Sequence, residues 1–317
     1  MTPDSLALIN VRQILTMAGP ARPRRGAELR ELGLVETGAI LIRDGRILAV
    51  GPTATIMPEI AARNSQVIDL RDRPVVLLPG FVDSHTHPAF WGTREDEYEL
   101  RILGASYEEI AAKGGGILNS ARRVQQATLE EITTSVVRFG RLFLAHGTTT
   151  IEAKSGYGLS LASELKLLRA IAAAGRLLPL DLVPTFLGAH AYPLEFRQNH
   201  RGYLDQIIGQ MLPAVAGEGL ARYVDVFCDQ GFFSVAEARE IITRFIGGLK
   251  DWTPLDSFLL DYLPDPKMRA TVLASSFAAS LEMAREGIVA IRQEKAFAPI
   301  YMRAGVKPAT PQAGAQQ

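Results

Sequence analysis

From residue 75 to about 245 the chain alternates short β-branched and aliphatic runs with longer stretches of helical apolar spacing. This alternation constrains the fold most. Strands separated by helices of about ten to fifteen residues assemble as βαβ units into a parallel sheet. The spacing predicts strands over 75–84, Thr148–Ala153, Leu180–Leu187 and Tyr223–Cys228. Helices are expected near 106–113, 128–145, Leu161–Ala174, 201–218 and 234–245. Four such strands are half of the eight that close a (β/α)8 barrel.

Residues 5–15 and 38–51 also read as strands, and Ala39–Arg43 and Arg46–Val50 flank Asp44-Gly45, a strong two-residue hairpin signal. Beyond 241–254 the pattern changes. Leu263-Pro264-Asp265-Pro266 leads to an expected helix over about 267–286, closed by Gly287, and then to two short strands, Ile288–Gln293 and Ala298–Arg303. Helix followed by β-hairpin is the signature of a small α+β winged helix, not of a further βαβ unit. The polar stretch Pro308–Gln317 reads as a disordered tail. The expected segments are thus a partial β-sandwich (1–72), the parallel βα region (73–240), a winged-helix-like module (241–305) and a tail (306–317).

Composition narrows the function classes. Lys and Arg number 34 against 34 Asp and Glu, so no global field draws the chain to nucleic acid or to a membrane surface. No apolar run approaches the roughly 20 residues a bilayer span requires, and Met1-Thr2-Pro3-Asp4 does not open a secretory signal. One cysteine, Cys228, excludes an intrachain disulfide and points to the cytoplasm. Cys228 itself reads as a small buried side chain.

The chemistry centres on Pro79-Gly80-Phe81-Val82-Asp83-Ser84-His85-Thr86-His87, after the apolar run Val75–Leu78. Side chains two apart on a strand point the same way, so His85 and His87 converge, as two imidazole ligands for zinc or another transition metal or as a satisfied structural pair at the strand end. Arg94, in the following loop, is placed to clamp a carboxylate in a bidentate fork, or is a solvated loop arginine. Lys154-Ser155-Gly156-Tyr157-Gly158 follows a strand at the same end of the sheet, where such folds carry their catalytic groups. Tyr157, between two glycines, is set to present its hydroxyl to a ligand, or is a packed loop tyrosine. Lys154 reads as a surface lysine, or as a ligand if carboxylated. His190 closes the third strand and is placed to donate to a polarised carbonyl. His146 and His200 read as structural or solvated.

Taken together, Pro79–Arg94, Gly104–Ile110, Lys154–Gly158, Phe186–Ala191 and Val224–Cys228 resemble imidazolonepropionase, a metal-dependent amidohydrolase family of histidine degradation. The resemblance runs from about residue 5 to about 240. It implies a (β/α)8 TIM-type barrel with a small β-sandwich domain, a zinc or iron ion, and hydrolysis of the cyclic amide of 4-imidazolone-5-propanoate to N-formimidoyl-L-glutamate; with four βα strands the barrel here is incomplete. It also implies that His85 and His87 are metal ligands and that Arg94, Tyr157 and His190 are substrate contacts. The family's further metal-binding histidine, a nearby glutamate, a catalytic histidine and a metal-binding aspartate follow the fifth, sixth and eighth strands. All five histidines here lie within the first 200 residues, so the ligand set is incomplete, no catalytic residue is assigned, and weak or absent turnover is expected. A half-barrel also leaves sheet edges uncovered, so solubility is expected to require pairing with another copy. Residues 241–305, through Trp252–Leu259 and Arg269–Arg303, resemble instead the C-terminal winged helix of segregation and condensation protein A, the kleisin subunit of bacterial condensin. That resemblance implies binding to an SMC head and makes the chain chimeric. The rival function is therefore an interaction protein acting through 241–305.

Overall fold

The computed structural model describes residues 5–19, 24–106, 109, 115–229, 231–246, 253–254, 289–293 and 300–304. The chain divides into two compact units, Met1–Gly80 and Phe81–Gln317.

In the first unit, β1 (Ser5–Leu15), β2 (Leu34–Arg43) and β3 (Arg46–Pro52) form an antiparallel meander. Asp44 and Gly45 both have positive φ, the backbone twist that a two-residue hairpin between right-twisted strands demands. Helix α1 (Thr53–Ala61) then leads to β4 (Ser65–Asp69), which pairs parallel to β1. Ala7, Ile9, Ala39, Leu41 and Ile60 make the small core.

The strand expected over 75–84 is two strands. β5 (Val76–Leu77) pairs with β1 in the first unit, and β6 (Phe81–Thr86) begins the parallel sheet of the second. Pro79-Gly80 separates them: proline offers no ladder donor and glycine weakens a strand interior. Nor is the apolar run buried, since Val75, Val76 and Leu78 are all exposed.

The second unit carries the parallel sheet in the order β6-β7-β8-β9, with β7 (Thr148–Lys154), β8 (Asp181–Ala189) and β9 (Tyr223–Val226). Helix α2 (Glu95–Ile102), α3 (Ile117–Gln126) and α4 (Leu129–Ala145) connect β6 to β7. The helix expected near 106–113 lies mostly outside the described residues, whereas α2 and α3 were not foreseen. The Thr128/Glu131 capping box starts α4 where the periodicity placed it. Helix α5 (Leu161–Gly175) crosses from β7 to β8. α6 (His200–Gln206) passes through a π-helical turn (Ile207–Met211) into α7 (Leu212–Gly217) ahead of β9, and α8 (Val235–Ile246) follows. Ile132, Val136, Leu167, Leu168, Ile171, Phe186, Tyr203 and Ile207 are buried in the core that joins these helices to the sheet. This is a mixed α/β fold whose parallel sheet has half the strands of a (β/α)8 barrel. β6 and β9 end the sheet among the described residues, and Phe81 and Val82 on β6 are 56% and 68% exposed. No helix among the described residues is long and apolar enough to cross a membrane.

Of the last segment, β10 (Thr253–Pro254), β11 (Val289–Gln293) and β12 (Ile300–Ala304) are described. They form an antiparallel sheet in the order β10-β12-β11. The expected hairpin is present. The expected helix over 267–286 and the tail lie outside the described residues.

Candidate active site

The site is built at the carboxyl ends of adjacent parallel strands, where the backbone turns outward and side chains from different strands meet. β6 brings in His85 and His87, with ring centroids 5.4 Å apart in an edge-to-face arrangement. His87 also lies 5.2 Å from the His190 ring, nearly parallel to it, and 5.5 Å from Tyr157. Tyr157 and His190 are 5.4 Å apart, and Phe227 closes on His190 at 5.7 Å. Four of the five residues singled out from the sequence therefore form one cluster.

Arg94, the fifth, stands at the N-cap of α2 and is near enough to Tyr157 to act on it electrostatically. Its Nη1 lies 3.5 Å from Glu97 Oε2. Glu97 is itself held, accepting from the Gly116 N–H and from Asn119 Nδ2, both at 3.0 Å. Burial raises the Tyr157 hydroxyl pKa while Arg94 pulls it down; the net shift is upward, so at neutral pH the hydroxyl keeps its proton and can donate.

His190 Nδ1 lies 2.9 Å from the Gly156 carbonyl. A carbonyl only accepts, so Nδ1 carries the proton. Burial lowers the His190 pKa, which keeps the ring neutral. Its Nε2 then accepts rather than donates; the donor role expected from the sequence would require the imidazolium.

Lys154 is not a surface residue. It is 3% exposed, and its Nζ donates to Asp225 Oδ2 at 2.6 Å and to Glu152 Oε1 at 2.9 Å. Thr185 Oγ1 completes the cluster by donating to Glu152 at 2.7 Å. Glu152 and Lys154 alternate along β7 with buried Ile151 and Ala153, so the polar residues occupy the opposite face of the sheet. Burial would lower the Lys154 pKa, but the bonds to the two carboxylates outweigh it and the ammonium is favoured. Cys228 is exposed, not buried, because it lies beyond the end of β9. His146 caps the end of α4, with Nδ1 2.8 Å from the Leu142 carbonyl, and His200 stacks on Tyr192 at 3.7 Å.

Two features fit a metal ion at His85 and His87. The His87 Nδ1 is buried without a hydrogen-bond partner. Burial, reinforced by His190, His85 and Lys154 and opposed by Asp225, holds the His87 pKa down at about 4, so the ring is neutral at pH 7, the form that could bind a metal. Among the described residues no group of three or more His, Cys, Asp or Glu side chains is placed to hold an ion. The pair fits as part of a ligand set.

The same depression sets a pH dependence for the metal-free protein. His87 titrates at about 4 in the fold, against 6.5 for the ordinary ring. Its contribution to stability is thus complete above pH 6.5 and is lost as pH falls toward 4. Discounted for solvent screening, the loss is about 1–2 kcal/mol. Denaturant titrations at pH 7.5 and 4.5 should show this loss, and His87→Asn should shrink it.

Comparison with known proteins agrees with this geometry. Residues 38–57 match the family model "Imidazolonepropionase-like composite domain, bacteria". The chain is 46% identical over 301 residues to the imidazolonepropionase of Solibacter usitatus (strain Ellin6076), covering 95% of this chain and 71% of that one. It is 49% identical over 247 residues to that of Symbiobacterium thermophilum, covering 77% and 57%. It is 42% identical over 233 residues to that of Alkaliphilus metalliredigens, covering 74% and 55%. The chain thus spans 71% of the first relative's length and a little over half of the other two. None of these relatives supports the kleisin resemblance of 241–305. The identities and the meeting of His85, His87, Tyr157 and His190 lead to one conclusion: the chain belongs to the imidazolonepropionase family.

Proposed function

We propose that this chain binds 4-imidazolone-5-propanoate and opens its cyclic amide to N-formimidoyl-L-glutamate, with a zinc or iron ion held in part by His85 and His87. The observation that carries this reading is the convergence of His87, Tyr157 and His190 within 5.2–5.5 Å of one another. Arg94 holds the propanoate carboxylate, for which a guanidinium fork is suited. The Tyr157 hydroxyl donates to the substrate. The neutral His190 accepts an N–H of the ring at Nε2. A bound ion of this kind supplies hydroxide at neutral pH by lowering the pKa of its water.

Two imidazoles hold such an ion weakly, so turnover should be low and should depend on added metal. Purified protein is assayed for loss of imidazolone absorbance with and without excess zinc or iron. Metal-stimulated turnover that falls at least about 10-fold in Arg94→Ala supports the reading. Metal-independent loss of absorbance, or turnover insensitive to Arg94, contradicts it. A cytoplasmic location fits the reaction and suits a lone exposed thiol at Cys228. The exposed Phe81 and Val82 on the outer strand β6 support pairing with a second copy, which gel filtration would register as a doubled mass.

A second reading, SMC-head binding through 241–305, draws on the antiparallel β10-β12-β11 sheet, a small sheet of the kind a winged helix would also carry. Against it stands the Solibacter match, which covers 95% of the chain and so reaches into this segment. A pull-down with an SMC head decides it: capture that is lost on deleting 241–317 supports the reading, and no capture by the full chain ends it.

A further inference from the structure

Glu164 is a carboxylate with no exposed surface, in the first turn of α5, and the chemistry above does not use it. An acidic residue at a helix start ordinarily faces solvent. This one turns back into the preceding loop. Its Oε2 accepts the Gly156 N–H at 2.9 Å, and its Oε1 accepts those of Gly158 at 2.7 Å and Leu159 at 3.0 Å. The Ser155 hydroxyl also bonds it, while the Ser155 Oγ accepts the Leu187 N–H at 3.0 Å.

The backbone wrapped around this carboxylate is unusual. Gly156 has φ +106°, and Leu159 holds φ 51°, a left-handed value that a branched side chain adopts only when its surroundings impose it. Tyr157 therefore hangs between two peptides tied to one buried group. Gly156 is shared: its N–H meets Glu164 and its carbonyl, in the next peptide group, meets His190 Nδ1. A displaced Gly156 would release both the Tyr157 ring and the His190 tautomer.

We propose that Glu164 is the positioning residue of the site, fixing Tyr157 through the amides of Gly156, Gly158 and Leu159 and fixing the proton-bearing nitrogen of His190 through the Gly156 carbonyl. The consequence for ligand binding rests on the imidazolone reading above; the consequence for loop and tautomer does not.

The test is Glu164→Gln in the full chain, whose amide NH2 would face backbone N–H groups. Nitrogen-15 NMR at pH 8 reports the His190 tautomer, and hydrogen exchange reports the Gly156 and Gly158 amides. Wild type should show the Nδ1–H tautomer and slow exchange. The variant should show a tautomer mixture and exchange about 100-fold faster. The Kd for imidazole-4-propanoate should rise about 10-fold through lost preorganisation. If Glu164→Gln does not fold, Ser155→Ala, which removes one bond to the same carboxylate, should shift the same signals less. A folded variant with wild-type tautomer and exchange overturns the proposal. If wild type itself fails to bind imidazole-4-propanoate, the imidazolone reading falls, while tautomer and exchange still decide the role of Glu164.

Discussion

Lys154→Ala is expected to lower the stability of the second unit by about 2–3 kcal/mol. The ammonium bridges Asp225 and Glu152 at 2.6 and 2.9 Å, and the Lys154 side chain is only 4% exposed. Its removal leaves two carboxylates facing one another, supported by the Thr185 hydroxyl on Glu152 and the Val226 N–H on Asp225. Breaking a buried pair typically costs about 3–5 kcal/mol because the orphaned charge stays desolvated. Asp225 is 43% exposed, so water reaches it and the lower figure applies. The effect belongs to the charge and not to the cavity. Lys154→Met should therefore lose nearly as much, and adding Glu152→Gln and Asp225→Asn should restore most of it. Urea midpoints of the three variants separate these terms. A loss under about 0.5 kcal/mol in both single variants would show that solvent screens the cluster.

Gly158→Ala should be as damaging for a different reason. An added Cβ would lie 2.6 Å from the Glu164 nitrogen and 2.6 Å from the Ser163 carbonyl carbon. Both are backbone atoms of α5, and neither can rotate away. The φ of Gly158 is not positive, so space alone is the constraint. The loop or the helix must shift, which breaks one or more of the amide bonds to Glu164. Overpacking together with unsatisfied buried amides amounts to about 3 kcal/mol. The melting temperature of the variant checks this against Gly209→Ala. A Cβ at Gly209 meets nothing within 4 Å, and Gly209→Ala should be neutral or slightly stabilising. Equal melting temperatures for the two variants would mean that the loop yields without cost.

These two sites also mark what could be read from the sequence and what could not. The His85-x-His87 spacing and the strand-end positions of Tyr157 and His190 were legible, because side chains two apart on a strand share a face and the loops after parallel strands all open at the same end of the sheet. Asp44-Gly45 was legible because few dipeptides accept two successive positive φ values. Lys154 was not, since a polar residue alternating with apolar ones looks the same whether its face meets water or two carboxylates. Glu164 left no trace either: its partners are backbone amides, which every sequence has. Helix α2 buries no residue, so there was no apolar stripe to find. The continuous strand expected over 75–84 failed at Pro79-Gly80, where β5 and β6 belong to different units. A proline without a ladder donor beside a glycine without a side chain to pack ends a strand.

Metal uptake tests the central claim most directly. Calorimetric titration of the metal-free full chain with zinc at pH 7.5 should show one weakly held ion per chain. That uptake should vanish in His85→Ala and in His87→Ala, and it should survive in His146→Ala, whose ring bonds the Leu142 carbonyl at the end of α4. Uptake unchanged by both His85→Ala and His87→Ala, or no uptake by the wild-type chain, would contradict the assignment of this imidazole pair as the metal-binding part of the site.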